Sequence, residues 1–153
     1  MKKRQKKIPP LALLIICMLL SWLISTELTS WEITFLFQKE LAILAILLGL
    51  ITILLAGIPL IKKHTTVDPR YPEKTTHLTI NGLYSISRNP MYFGMLLILI
   101  GWNILIGNIA SFIVIVAFII YMNIFQIVPE EQALSKKFSD QYIQYCQQVR
   151  RWL

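Results

Sequence analysis

Two short stretches of this chain hold residue types that can do chemistry. The first is Ser87-Arg88-Asn89-Pro90-Met91-Tyr92, where a polar segment gives way to a long apolar run. The second is Asn123, Gln126, Glu130 and Glu131, where that apolar run ends. The steps from Asn123 to Gln126 to Glu130 place these three on one helical face. Asn followed by Pro opens a helix, and a helix start offers free N–H groups and a positive dipole end to a carboxylate. Two carboxylates, an arginine, a helix start and nearby tyrosine rings suit a zwitterionic ligand that also carries an aromatic ring. Each group has a plain structural use as well, in capping or in complementing a helix dipole. Several chemistries are not signalled. There is no glycine-rich phosphate loop and no Ser or Cys nucleophile beside a His. His64 and His77 lack metal-ligand spacing.

The elements that must position these groups are membrane spans. Of the 153 residues, 56% are hydrophobic, and the segments 8–26, 41–61 and 91–128 carry no charge. About 20 helical residues cross a hydrocarbon layer of ~30 Å. The third segment is long enough for two spans that fold back at Gly107-Asn108. The expected architecture is an all-α membrane protein of about four spans, at 8–26, 40–62, 90–107 and 109–128, in a single domain covering 1–153. Five cations precede the first span, five lie between the second and third, and four follow the last. Only Lys39 falls in the opposite loop, beside Glu27, Glu32 and Glu40. The positive-inside rule then puts both termini in the cytoplasm. On this reading the net charge of +7 is topological, and no nucleic-acid partner is expected. The first span reads as a retained anchor, because no small-x-small cleavage site follows it. Cys17 and Cys146 lie at different depths and are expected to stay reduced.

Within the second helix, Ala42, Ala45, Gly49, Thr52 and Ala56 form a small-residue face suited to close packing in lipid, and it would permit an oligomer. Pro59 is expected to bend that helix near its end. The stretch 62–88, with Pro69, Pro72 and Asn81-Gly82, is expected to be an irregular surface loop with one short helix or strand. The tail 130–149 carries Leu134, Phe138, Tyr142, Tyr145 and Val149 on one face. Such a tail can lie on the bilayer or fold beneath the bundle as a lid. A hairpin of helices three and four would bring Arg88, Asn89 and Tyr92 beside Gln126, Glu130 and Glu131. The loop and the tail would close over them in a pocket at the cytoplasmic interface, with one wall open to lipid.

These residues also carry a family resemblance. The run Leu78-Thr79-Ile80-Asn81-Gly82-Leu83-Tyr84, followed by Arg88-Asn89-Pro90-Met91-Tyr92-Phe93-Gly94, resembles the signature of the isoprenylcysteine carboxyl methyltransferases and of the related phospholipid methyltransferases. The second half of that signature is similar to Glu130-Glu131, then Leu134, Phe138, Tyr142, Tyr145 and Val149-Arg150-Arg151-Trp152. The likeness covers about residues 62–153. It implies S-adenosylmethionine as methyl donor, bound without a dinucleotide fold by segments 62–94 and 123–153. By matching position it implies cofactor contacts from Gly82, Tyr84, Arg88, Asn89, Pro90, Tyr92, Gln126, Glu130, Glu131, Tyr142 and Tyr145. Glu131 and Arg151 are the candidate catalytic groups. Many relatives have Arg directly before the tail Val and Pro after it, where this chain has Gln148 and Arg150. Arg150 or Arg151 is expected to reach the same place.

The expected activity is methyl transfer to a hydrophobic, membrane-partitioned acceptor, either a carboxylate or an amine. The expected location is a prokaryotic cytoplasmic membrane, with the site facing the cytoplasm. Two other classes remain open at the level of sequence. One is a nicotinamide-dependent lipid or sterol-type reductase, which would need a larger basic cofactor site. The other is a non-enzymatic membrane scaffold, in which Arg88, Glu130 and Glu131 have no catalytic use.

Overall fold

The computed structural model describes residues 8–62 and 78–153. His64, His77, Pro69 and Pro72, together with most of the expected loop, lie outside them. Most of the described chain is helical: α1 is Pro10–Glu27, α2 is Gln38–Lys62, α3 is Pro90–Ile106, α4 is Ile113–Tyr121 and α5 is Val128–Gln148. Short 3-10 turns sit at Thr29–Trp31, Gly82–Ser85 and Ile109–Phe112. A π-helical turn, Met122–Ile127, joins α4 to α5 without a break.

Three of these helical stretches are long and apolar enough to cross a membrane, and α3 is a shorter apolar helix of 17 residues. At 1.5 Å per residue α3 spans roughly 26 Å, close to the hydrocarbon thickness. Leucine and isoleucine on α2 are widely exposed, with Leu54 at 66% and Ile61 at 67%. An apolar surface that faces outward along a whole helix belongs against lipid. The fold is that of an integral membrane protein.

Helix α3 lies at the centre. One of its faces meets α2 through small residues. A Cβ on Gly49 would stand 2.6 Å from the Gly94 carbonyl oxygen, and one on Gly101 would stand 2.7 Å from that of Ala42. Ala42 and Ala56 are fully buried in the same seam. The small-residue face read from sequence is therefore filled within the chain by α3. The other faces of α3 join Leu13, Leu14 and Cys17 of α1 with Val114, Ile115 and Phe118 of α4 around Met95 and Leu99. The Trp102 indole N–H donates to the Met18 carbonyl at 3.0 Å, tying α3 to α1.

Hydrogen bonds define two ends. At one, Asn108 Nδ2 donates to Leu28 O at 2.7 Å, Ile33 N to Gly107 O at 2.7 Å and Gln38 Nε2 to Ile104 O at 2.8 Å. Here the chain turns as the sequence predicts. Gly107 ends α3 with φ 68°, and Asn108 Oδ1 accepts from Ala110 N and Ser111 N to start the next turn. A Cβ at Gly107 would also meet Gln38 Nε2 at 2.5 Å and Ile33 O at 2.6 Å, so both conformation and space call for glycine. At the other end, Gln126 Nε2 donates to Ile8 O at 2.7 Å and Arg88 N to Arg150 O at 3.0 Å. The start of α1, the start of α3, the end of α4 and the chain's last residues thus meet at one end.

Two features sharpen the sequence reading. The helix of the fourth span does not end at 128; it continues through Pro129 into α5. A proline ring clashes with the carbonyl four residues earlier and removes one N–H. The wider π-turn that ends immediately before Val128 accommodates this without breaking the helix. The tail, in turn, is not one straight helix. Ser139 has φ 43° and ψ −118°, which turns α5 sharply there. Tyr142, Tyr145 and Val149 then pack on Leu78, Leu134 and Phe138. The amphipathic stripe closes on the protein's own loop and on the first half of α5.

Candidate functional site

The start of α3, the start of α5 and the residues after Gln148 converge on Glu131. Arg88 NH2 lies 3.0 Å from Glu131 Oε1, and Arg151 NH2 lies 2.7 Å from Oε2. Arg151 Nε also donates to Oε1 at 3.2 Å, so its grip is two-pronged. The three side chains are 13%, 38% and 17% exposed for Arg88, Arg151 and Glu131. The hydrogen bonds to Glu131 hold the Arg151 guanidinium further in its charged form. One position earlier, Glu130 Oε2 accepts from the Tyr92 hydroxyl at 2.9 Å. The adjacent carboxylates therefore face different partners, one cationic and one phenolic.

The helix start is built differently from the capping read in the sequence. Asn89 makes no side-chain cap; its Nδ2 donates to Arg151 O at 3.0 Å. The Asn89 N–H is instead satisfied by Ser87 Oγ at 3.1 Å. Ser87 and Arg150 form an isolated parallel bridge, and Trp152 Nε1 donates to Asn123 Oδ1 at 3.3 Å. Residues 149–153 are thus a strap laid across the starts of α3 and α5. Of the two arginines that follow Val149, Arg151 reaches Glu131, whereas Arg150 is exposed and bonds Arg88 through its backbone. Gln148 is exposed. Pro90 is buried at the first turn of α3.

The aromatic groups lie beside this cluster. Tyr145 OH donates to Tyr84 O at 2.6 Å, and the rings of Tyr142 and Tyr145 are 6.1 Å apart. All three phenols are held above their ordinary value. Burial is the main cause for each; Glu130 adds to it for Tyr84 and Glu131 for Tyr142. Gly82 opens the 3-10 turn with φ 66°, and a Cβ there would meet nothing within 4 Å. Gln126 is fully buried, but it points its amide N–H at Ile8 O and leaves Oε1 without a partner. It ties down the start of α1 one helical turn before Glu130. The strap was the feature least visible in sequence; the only signal was the run of arginines and tryptophan at the chain end.

A separate groove of about 490 Å³ lies at the opposite end, lined by residues such as Phe35, Phe37, Gln38 and Leu105. It is far from Glu131 in the fold. Among the described residues, no group of three His, Cys, Asp or Glu is placed to hold a metal.

The raised phenols have a consequence for stability. A tyrosine with a higher folded than unfolded pKa favours the fold while it is protonated. That contribution is present below about pH 10 and is lost as pH rises beyond it. Thermal unfolding in detergent should therefore show a falling midpoint above about pH 10. Tyr142→Phe, which keeps the ring and removes the ionisation, should flatten the fall.

Fold and site together define a multi-pass α-helical membrane protein with a charged, tyrosine-lined cluster closed by residues 149–153. The chain matches the model of the phospholipid methyltransferase family over residues 37–141 and belongs to that family. It is accordingly a membrane methyltransferase. It is also similar to an uncharacterized protein of Haemophilus influenzae, 46% identical over 63 residues, which is 41% of this chain and all of the other. No solved structure matches it.

Proposed function

We propose that the chain transfers the methyl group of S-adenosylmethionine to a hydrophobic, membrane-partitioned acceptor at the cytoplasmic interface. The observation that carries this reading is the Arg88–Glu131–Arg151 cluster at the start of α3 and α5. The residues present fit the cofactor. Arg88 Nε is buried and makes no hydrogen bond among the described residues, so a donor is in place for a carboxylate. Glu131 is a partner for an ammonium. Gly82 has open space where a side chain would stand, beside Tyr84. Tyr84 is half-buried and offers a ring for an adenine to meet, backed by the buried Tyr142 and Tyr145.

The cofactor supplies an electrophilic methyl group on a sulfonium. The protein's task is then to align an acceptor in line with it and exclude water, and positioning of this kind supplies much of the rate. Arg151 would orient a carboxylate acceptor, which arrives already ionised. An amine acceptor would need a carboxylate of the Glu130–Glu131 pair to take its proton. The cytoplasmic orientation is supported by charge. Arg88, Lys136, Lys137, Arg150 and Arg151 belong to the segments that meet at the site end, whereas Glu27, Glu32 and Glu40 flank the far turns.

Calorimetric titration of the purified protein with S-adenosylhomocysteine tests the reading, run beside a reduced nicotinamide dinucleotide. Saturable binding of the first alone is the expected result. Binding of the dinucleotide alone would move the chain to the reductases. Binding of neither by folded protein would leave a scaffold.

A further inference from the structure

Both oxygens of Glu131 are occupied by guanidiniums from within the protein. The two arginines are not equivalent. Arg88 is 13% exposed, its backbone N–H donates to Arg150 O, and its NH1 lies 3.5 Å from Cys146 O. It is fixed at a helix start, and its buried Nε has no partner among the described residues. Arg151 is 38% exposed. Its stem can carry the guanidinium into water, at the cost of the two hydrogen bonds to Glu131.

We propose that Arg151 is a built-in competitor for the cofactor: its guanidinium occupies on Glu131 the place that the ammonium of the cofactor's amino-acid end takes. The inference rests on the S-adenosylmethionine reading above. Two guanidiniums and an ammonium cannot share one carboxylate, because cations at that spacing repel in a half-buried site. One must leave, and Arg151 is the more exposed, with a side chain whose hydrogen bonds among the described residues are both to Glu131. The exchange keeps the charge balanced. One cation leaves Glu131 as another arrives, and the amino-acid carboxylate of the ligand meets the unpartnered Nε of Arg88. The strap loses its two-pronged side-chain hold on α5. It keeps the backbone bond to Arg88 and the contacts of Asn89 and Asn123. Ligand binding therefore loosens the chain end and does not release it.

The test compares two probes, S-adenosylhomocysteine and 5′-methylthioadenosine, which lacks the amino-acid end. Each is titrated into the full chain as wild type and as Arg151→Gln. Removing a charged hydrogen-bonding competitor should raise affinity for S-adenosylhomocysteine by about tenfold or more. Affinity for methylthioadenosine should not change. An unchanged or weaker S-adenosylhomocysteine affinity in the variant overturns the proposal. So does an equal gain for methylthioadenosine, because the ammonium would then play no part. A second readout uses the wild type alone: amide hydrogen exchange at Arg151 and Trp152 should speed up on saturation with S-adenosylhomocysteine, and unchanged or slower exchange also overturns it. If wild type binds no S-adenosylhomocysteine, the functional reading falls and this inference falls with it. If it binds and Arg151→Gln binds no better, only the inference falls.

Discussion

Glu131→Ala should abolish measurable S-adenosylhomocysteine binding and also destabilise the fold, by about 2–3 kcal/mol. The carboxylate lies between two guanidiniums at 3.0 and 2.7 Å. Removing it leaves two like charges facing each other at the starts of α3 and α5. Breaking a buried ion pair from one side costs about 3–5 kcal/mol, and partial exposure here lowers that figure. The binding loss has a separate cause, the missing partner for an ammonium. Glu131→Gln separates the two effects. Its amide oxygen can still accept from one arginine, so the thermal midpoint should fall less, while affinity should drop about a hundredfold with the lost charge. Calorimetry and thermal unfolding on the same detergent preparations check both variants. Retention of wild-type affinity in Glu131→Ala would sink the assignment of this carboxylate to the cofactor.

Much of the bundle could be read from charge and hydropathy, because lipid leaves few options. Backbone groups in hydrocarbon must pair within a helix, so a long uncharged segment can only be a span. The turn at Gly107-Asn108 was legible for a local reason: a glycine at φ 68° and an asparagine cap together form the turn. What happens at Pro129 was legible only as two alternatives, a new helix or a continuation of the old one. Proline usually marks an end, and the π-turn that absorbs it depends on packing of Met122 and Ile127 in the core. The bend at Ser139 was hidden for a similar reason. The five apolar residues from Leu134 to Val149 keep helical spacing through the bend, so the sequence pattern shows no interruption.

At the site, residue types were legible and partnerships were not. Arg88, Glu130 and Glu131 stand out because charge at the end of a span is costly and must find partners. Which arginine of the chain end reaches Glu131 depends on the parallel bridge between Ser87 and Arg150, a contact across 63 positions that no local pattern encodes. Asn89 shows the same gap. Its place before proline predicts a cap, yet its amide is used to hold the strap. Gln126 shares a face with Glu130 by spacing. Its amide nevertheless meets Ile8 at the start of α1, a partner 118 positions away that no local pattern encodes.

The site also depends on a contact well inside the membrane, which yields the largest expected loss of folded protein. Gly94→Leu should unfold the chain in mild detergent or leave too little for binding measurements. Gly49 and Gly94 face each other across α2 and α3. A Cβ on Gly94 would stand 2.7 Å from Gly49 O and 2.7 Å from Ile53 Cγ1, and one on Gly49 would stand 2.6 Å from Gly94 O. The backbone oxygens cannot rotate away, so a side chain must drive the helices apart. Separation would forfeit dispersion along the whole seam, including Ala42 against Gly101, and in lipid no hydrophobic force compensates. Overpacking typically costs about 1–3 kcal/mol, and a rigid backbone on the far side puts leucine above that range. Gly94→Ala should be intermediate, with a measurable fall in thermal midpoint. Gly57→Ala is the control. It lies in the same α2 with nothing within 4 Å of the added Cβ, so it should be neutral or gain up to about 1 kcal/mol of helix propensity. Gly94 is five residues past Asn89 on α3, so a shift of the seam moves Arg88, Asn89 and Tyr92 relative to Glu130 and Glu131. Any folded fraction of Gly94→Ala should therefore bind S-adenosylhomocysteine more weakly, whereas Gly57→Ala should bind it as wild type does. Equal stability of Gly94→Leu and wild type would mean that α2 and α3 do not pack through these glycines.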